Sequence, residues 1–108
     1  MISQSELVDA IATLDAQALQ HWVDLGWVLP RHESGNVHFD PSDVARVRLI
    51  CELRYELLIE EDSLSVVLSL MDQLYATRRA LSALSSAVAN EPAEVRARIK
   101  AVLNARVI

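Results

Sequence analysis

Glycine and proline occupy only five positions in this 108-residue chain, and this scarcity limits its fold more than any other feature. A β protein of many strands needs more turn residues than two glycines and three prolines supply. The stretch from Leu64 to Ala89 has neither residue and is rich in Leu, Ala and Ser, which predicts one long helix or two nearly continuous ones. We therefore expect a mostly α-helical fold.

Capping residues predict two short helices at the N-terminus. Ser3 and Glu6 have the spacing of a capping box, in which each side chain accepts a hydrogen bond from the other residue's backbone N–H. Asp15 can begin a second helix, whose apolar side chains recur every three or four residues up to Gly26. A glycine at that point is typical of a helix end. Trp22 lies on the apolar face, so we expect it in the core.

A short hairpin is predicted between the second helix and a third. Val28–Leu29 and Val37–Phe39 are β-prone, and the residues between them favour turns. Asp40 and Pro41 then have the residue types preferred at the N-cap and at the first position of a helix.

The third helix carries an apolar stripe that we expect to face the core. The stripe and the residues that widen it are Val44, Val47, Ile50, Cys51, Leu53, Arg54, Leu57 and Leu58. The polar run Glu60–Ser63 interrupts the pattern and predicts a helix junction. We therefore predict two domains, residues 1–62 and residues 63–108.

The long helix carries a seam like that of a short coiled coil. Six positions follow a 4-3-4-3-4 spacing, and five of them are apolar. The seam could pack against the chain's own helices or form a dimer interface with a second copy. Its apolar positions are Leu70, Leu74, Leu81, Leu84 and Val88, and Thr77 is the polar sixth. A last helix is predicted from about Ala93, after Pro92.

Charge is distributed unevenly along the chain. Residues 1–77 carry a net charge of −9 and residues 78–108 a net charge of +4. The first 30 residues contain four acidic residues and no Lys or Arg, which argues against DNA recognition through the second helix. A polarised acidic surface suits a basic protein partner instead.

An acidic stripe is the strongest candidate for contacting such a partner. Glu52, Glu56 and Glu60 recur every four residues and share one helix face, on which like charges repel unless a partner relieves them. The alternative is a solvated face in which Arg48 pairs with Glu52. The candidate partner-binding residues are Glu6, Asp9, Asp15, Asp24, Glu52, Glu56, Glu60, Glu61 and Asp62.

Catalysis, metal binding and membrane insertion are not predicted. His21, His32 and His38 lack metal-ligand spacing, and the single Cys51 excludes an internal disulfide and a cysteine-based zinc site. No nucleophile elbow and no glycine-rich phosphate loop occurs in the sequence. We expect no enzymatic activity, no cofactor, no membrane contact and a cytoplasmic location.

Three segments carry a family resemblance. The order of helices and hairpin, with Leu19–Pro30 at the second helix and the start of the wing, resembles the MerR-like winged helix-turn-helix superfamily. Leu53–Leu57 and Val66–Leu74 are similar to the narrower CbpM family of chaperone modulators. The resemblance implies a winged helix-turn-helix domain and then a long dimerisation helix that pairs two copies. The short C-terminal helix after Asn90 is an addition of this chain to the family's pattern.

The CbpM resemblance implies a function without chemistry. Proteins of that family bind the J-domain of a CbpA-type DnaJ homologue and inhibit its stimulation of DnaK by occupying its surface. The main alternative is a MerR-type DNA-binding transcriptional regulator, in which Arg31, Arg46 and Arg48 would contact phosphates. A third alternative is a structural adaptor that uses only the coiled-coil seam.

Overall fold

The computed structural model describes residues 1–106, which form two compact units. The first unit covers Met1–Ser69, and the second begins at Leu70. The described residues contain five α-helices, one π-helical turn and three short strands, which confirms the mostly α-helical class. In chain order these are β1 (Ile2–Ser3), α1 (Gln4–Ala10), α2 (Ala16–Asp24), β2 (Arg31–Glu33), β3 (Asn36–Phe39), α3 (Pro41–Cys51), the π-helical turn (Glu52–Glu56), α4 (Glu61–Ala89) and α5 (Ala93–Arg106).

The predicted helix caps at the N-terminus are confirmed. The Ser3 hydroxyl accepts a hydrogen bond from the Glu6 backbone N–H at 3.2 Å, and the Glu6 carboxylate accepts one from the Ser3 N–H at 3.3 Å. Asp15 caps α2 by accepting a hydrogen bond from the Ala18 N–H at 2.7 Å. Gly26 follows the end of α2 with φ of +78°, a backbone conformation that glycine adopts without strain.

The hairpin forms, but its first strand lies later than predicted. Val28–Leu29 is not a strand: Val28 is fully buried in the core, and β2 begins at Arg31, immediately after Pro30. Proline has no N–H to donate to a strand ladder, so pairing starts beyond it.

A tight turn and a strand that the sequence did not predict complete the wing. Ser34 and Gly35 both have positive φ and join β2 to β3 in a two-residue turn, which has the twist that hairpins favour. The strand β1 was not predicted; it pairs antiparallel with β3 and places Ile2 opposite Phe39. The sheet order is therefore β1-β3-β2.

Helix α3 begins as predicted and carries part of the core of the first unit. The Asp40 carboxylate accepts a hydrogen bond from the Asp43 N–H at 2.9 Å, and Pro41 occupies the first helical position. The predicted core positions Trp22 and Cys51 are buried, as is Phe39 from the wing. The buried residues are Leu7, Ile11, Leu14, Leu19, Trp22, Val28, Phe39, Val47, Ile50, Cys51, Leu64 and Leu68.

The apolar stripe predicted to run through Leu57 and Leu58 is wrong at its end. Helix α3 stops at Cys51, and in the π-helical turn the Leu57 N–H donates to the Glu52 carbonyl, five residues earlier, at 3.0 Å. This wider turn shifts the following side chains out of the 3.6-residue period. Leu57 and Leu58 are therefore exposed, and Leu58 has φ of +55°.

Helix α4 is one continuous helix of 29 residues, as the absence of glycine and proline predicted. Leu64 and Leu68 are its buried residues, and they pack in the core of the first unit. The helix is interrupted at Asn90–Pro92, and α5 starts at Ala93 as predicted. The division into domains at residues 1–62 and 63–108 stays a prediction. No helix among residues 1–106 is long and apolar enough to cross a membrane.

Candidate partner-binding surfaces

The exposed face of α2 is polar and without lysine or arginine. It presents Gln17, Gln20, His21 and Asp24. The Gln20 amide donates a hydrogen bond to the Asp24 carboxylate at 2.9 Å, so this pair already satisfies part of its bonding capacity within the helix. A helix that reads DNA in the major groove needs donors free to reach base edges and cations near phosphates.

The structure brings residues around the π-helical turn against α2, although they lie 33 to 40 positions away in sequence. His21 Nε2 lies 2.5 Å from Glu61 Oε1, and both side chains are half exposed. The rings of Trp22 and Tyr55 pack with their centroids 6.3 Å apart and an interplanar angle of 41°. The face of α2 that would approach DNA is therefore flanked by the chain that enters α4.

Acidic and apolar side chains are exposed together on this segment. We use the name acidic linker surface for the exposed residues Glu52, Glu56, Leu57, Leu58, Glu60, Glu61 and Asp62. Leu57 is 65% exposed and Leu58 73%, so two large apolar side chains lie side by side in water among the carboxylates. The acidic residues were predicted as candidates from the sequence, whereas both leucines were predicted to lie in the core because they follow the helical period of the third helix.

The remaining acidic candidates lie in different places. Asp15 is close enough to Tyr55 to affect its ionisation, so it lies beside the linker. Asp24 lies at the end of α2. Asp9 instead lines a groove of about 580 Å³ between α1 and the wing, and Glu6 is held by the Ser3 capping box. Nothing in the structure groups Glu6 and Asp9 with the linker.

Two titratable groups near the linker are partly withdrawn from water. Burial raises the pKa of the Cys51 thiol, and the Thr13 hydroxyl opposes that shift with a hydrogen bond. Burial also raises the pKa of the Tyr55 phenol, and the Asp15 carboxylate adds to the shift. Both groups stay protonated and uncharged at neutral pH, so neither is an activated nucleophile there.

Two of the three arginines that a DNA-binding function would use have interactions within the chain. Arg31 Nε lies 3.7 Å from the Asp40 carboxylate, and Arg46 Nε donates a hydrogen bond to the Trp27 carbonyl. The third, Arg48, is exposed and lines a small cavity with Glu52 and Glu56. Binding to phosphate would therefore compete with existing contacts of Arg31 and Arg46.

The predicted dimer seam is exposed along α4. The exposed fractions are 59% for Leu70, 49% for Leu74, 60% for Leu81 and 62% for Leu84, and Val88 is half-buried. The Thr77 hydroxyl donates to the Gln73 carbonyl at 2.8 Å, which satisfies the one polar group of the seam within the helix. The described part of the second unit thus leaves a row of large apolar side chains in water.

Metal coordination has no candidate in the described chain. Among residues 1–106, no group of three or more His, Cys, Asp or Glu side chains could hold a metal ion.

The elements from α1 through the π-helical turn define a class of protein. Two helices joined by a turn, a hairpin wing and a third helix are the parts of a winged helix-turn-helix regulatory domain. The chain matches the MerR HTH family of regulatory proteins over residues 5–58, and it belongs to that family. No curated protein and no solved structure matches it.

Proposed function

We propose that this MerR-family chain regulates by binding protein, as a chaperone modulator of the CbpM type. It binds the J-domain of a CbpA-type DnaJ homologue and inhibits stimulation of DnaK by covering the J-domain surface, with no chemical step. The observation that supports this proposal is the acidic linker surface, where two exposed leucines lie among five exposed carboxylates.

That combination suits a basic protein surface. Apolar side chains at the centre of an interface supply most of the affinity, and surrounding charges set orientation and association rate. The resemblance to the CbpM family points to the J-domain, whose exposed helix is basic. Leu57 and Leu58 would lie at the centre of the contact, and Glu56, Glu60 and Asp62 at its rim.

The seam on α4 supports a homodimer as part of the same proposal. Exposed leucines at coiled-coil spacing gain stability when a second helix covers them. A dimer presents two acidic linker surfaces, so one dimer would bind two J-domains.

Charge reversal on the linker tests the partner surface. The variant carries Glu56→Lys and Glu60→Lys. Both glutamate side chains are exposed, and neither makes a hydrogen bond that the substitution would break. We expect its affinity for the J-domain to fall by about tenfold or more in calorimetric titration, because attraction becomes repulsion. Its circular dichroism spectrum should be unchanged.

The matched control is Glu33→Lys, at the exposed end of β2 beside the turn of the wing. It changes the charge of one residue by the same amount as each substitution on the linker. It should leave J-domain affinity within about threefold of the starting value, because surface charges beyond a Debye length are screened. Equal losses in the control and in the linker variant would show that the effect is one of net charge and would contradict the assigned surface.

A DNA-binding regulator is the second candidate, and the family match favours it. Arg31 and Arg46 would then exchange their contacts within the chain for phosphates, and the exposed Arg48 would add a third phosphate contact. A DNA-binding function would give an affinity for duplex DNA that falls steeply as the salt concentration rises. Replacing Arg31 and Arg48 with Ala should abolish such binding if it occurs.

A further inference from the structure

Leu58 has a backbone conformation that leucine rarely adopts. Its φ is +55°, in the left-handed region, where the Cβ atom crowds the following carbonyl oxygen and raises the free energy of the residue. Among residues 1–106, Ser34 is the one other residue besides glycine with a positive φ, and it lies in the two-residue turn of the wing, which favours that conformation. Leu58 lies in no such hairpin turn.

The end of the π-helical turn imposes this conformation on Leu58. The Leu57 N–H donates to the Glu52 carbonyl and the Ile59 N–H donates to the Leu53 carbonyl, each at 3.0 Å. Leu57 is the C-cap, so Leu58 is the residue after it. That position is left-handed in many helix ends and is usually glycine. A leucine therefore occupies a position at which glycine would be free of strain.

The Leu58 side chain makes no packing contribution that offsets this strain. It is 73% exposed, whereas Leu53 and Ile59, which flank it in the chain, both pack against the core of the first unit. The two flanking residues hold the backbone in place without help from the Leu58 side chain. The stability of residues 1–69 thus favours glycine at residue 58, which indicates that leucine has a role outside the core.

A large apolar side chain on a fixed backbone is suited to filling a pocket of a partner. Because hydrogen bonds already hold the backbone on both sides of Leu58, little conformational freedom is lost when the side chain becomes buried in an interface. Exposed carboxylates of Glu56, Glu60 and Glu61 lie close to it in the chain. The pocket that fits is therefore apolar inside and bordered by lysine or arginine side chains.

We propose that Leu58 is the anchor residue of the acidic linker surface, which inserts into an apolar pocket bordered by basic side chains on the partner. The chain keeps leucine at this position although glycine would make its own fold more stable. That the pocket belongs to a J-domain rests on the proposed function. Stability and affinity should then respond in opposite directions to Leu58→Gly, which a residue with only a structural role would not show.

Urea denaturation of glycine and alanine variants tests the strain. Leu58→Ala keeps the strained backbone and Leu58→Gly relieves it, so the glycine variant should have an equilibrium constant of unfolding about fivefold smaller than the alanine variant. Leu29 is the matched control, because it is 75% exposed and has no positive φ. At residue 29 the order should be reversed, with glycine less stable than alanine. The same order at both residues would contradict the inference.

Calorimetric titration of the full-length variants with a CbpA-type J-domain tests the anchor role. Leu58→Ala and Leu58→Gly should each raise the dissociation constant by about tenfold or more, because each removes the side chain that fills the pocket. Leu58→Met keeps a large apolar side chain and should stay within about threefold of the unchanged chain. Leu29→Ala should leave the affinity unchanged, and a loss as large as that of Leu58→Ala would contradict the inference.

Two further outcomes identify which claim fails. If sedimentation showed that Leu58→Ala weakens dimerisation as much as it weakens J-domain binding, Leu58 would belong to a contact between copies of the chain and the inference would be contradicted. A J-domain that binds the unchanged chain and Leu58→Ala equally well contradicts the anchor role alone. A J-domain that does not bind the unchanged chain contradicts the proposed function, and the anchor role fails with it.

Discussion

The Asp15 side chain has two roles that substitutions can separate, as a helix cap and as a surface charge. Its carboxylate caps α2 through the Ala18 N–H, and its charge lies beside the acidic linker surface proposed to bind the partner. Asparagine preserves a cap and removes the charge, whereas alanine removes both. The two substitutions therefore separate stability from recognition.

We expect Asp15→Ala to lower the free energy of unfolding by about 1 kcal/mol and Asp15→Asn to lower it by only a few tenths. Both should weaken J-domain binding to a similar extent, because both remove the same charge. Urea denaturation gives the first quantity and calorimetric titration the second. An asparagine variant as unstable as the alanine variant would show that the cap does not stabilise α2.

Cys51 illustrates a buried side chain without reactivity. Its thiol is 4% exposed, and burial raises its pKa, so the reactive thiolate is scarce at neutral pH. We expect labelling by a thiol reagent at pH 7 to be at least about a hundredfold slower in the folded chain than in urea. The midpoint of the labelling rate as a function of pH should lie above that of a free cysteine, because burial raises the pKa of the thiol. Rapid labelling of the folded chain would contradict this burial.

Elements that depend on neighbouring residues were predictable from the sequence. The Ser3 and Asp40 caps and the Gly26 helix end each require only a local hydrogen bond or a local backbone angle. The extent of α3 was not predictable in this way. Its π-helical turn depends on a bond from Leu57 to Glu52 that competes with the ordinary helical bond, and tertiary packing decides between them. The strand β1 was missed because two residues form it only when β3 is already in place.

Two leucines of α4 distinguish the part of the helix that packs in the core from the part that carries the seam. Leu64 is fully buried and Leu74 is half exposed, although they lie in the same helix. We expect Leu64→Ala to lower the free energy of unfolding by about 2–5 kcal/mol, because it leaves a cavity in the core of the first unit. Leu74→Ala should instead raise the dimer dissociation constant, with little effect on the unfolding of residues 1–69.

Denaturant unfolding and sedimentation of both variants measure these outcomes. The interpretation of the seam would be contradicted if Leu74→Ala left association unchanged at every concentration. It would be contradicted equally if Leu64→Ala and Leu74→Ala destabilised the first unit by the same amount, since the seam would then belong to the core.

In the whole molecule, the distribution of charge along the chain was evident from the sequence, but the surface on which the acidic residues come together was not. The positions of the charged residues alone give an acidic part and a basic tail. The contact between His21 and Glu61 joins residues 40 positions apart, and no periodicity predicts it. Membership of the MerR family fixes the class of domain. The polar face of α2, which presents no lysine or arginine, is the feature that leads us to propose a protein partner in place of DNA.

Binding to a J-domain is tested most directly by a calorimetric titration of the full-length chain with a CbpA-type J-domain, run beside a titration with a pool of duplex DNA at about 50 and about 200 mM salt. A chaperone modulator should bind the J-domain with a dissociation constant of about 1 μM or lower and give no heat with DNA at either salt concentration. Salt-sensitive binding to DNA with no binding to the J-domain would contradict the proposed function.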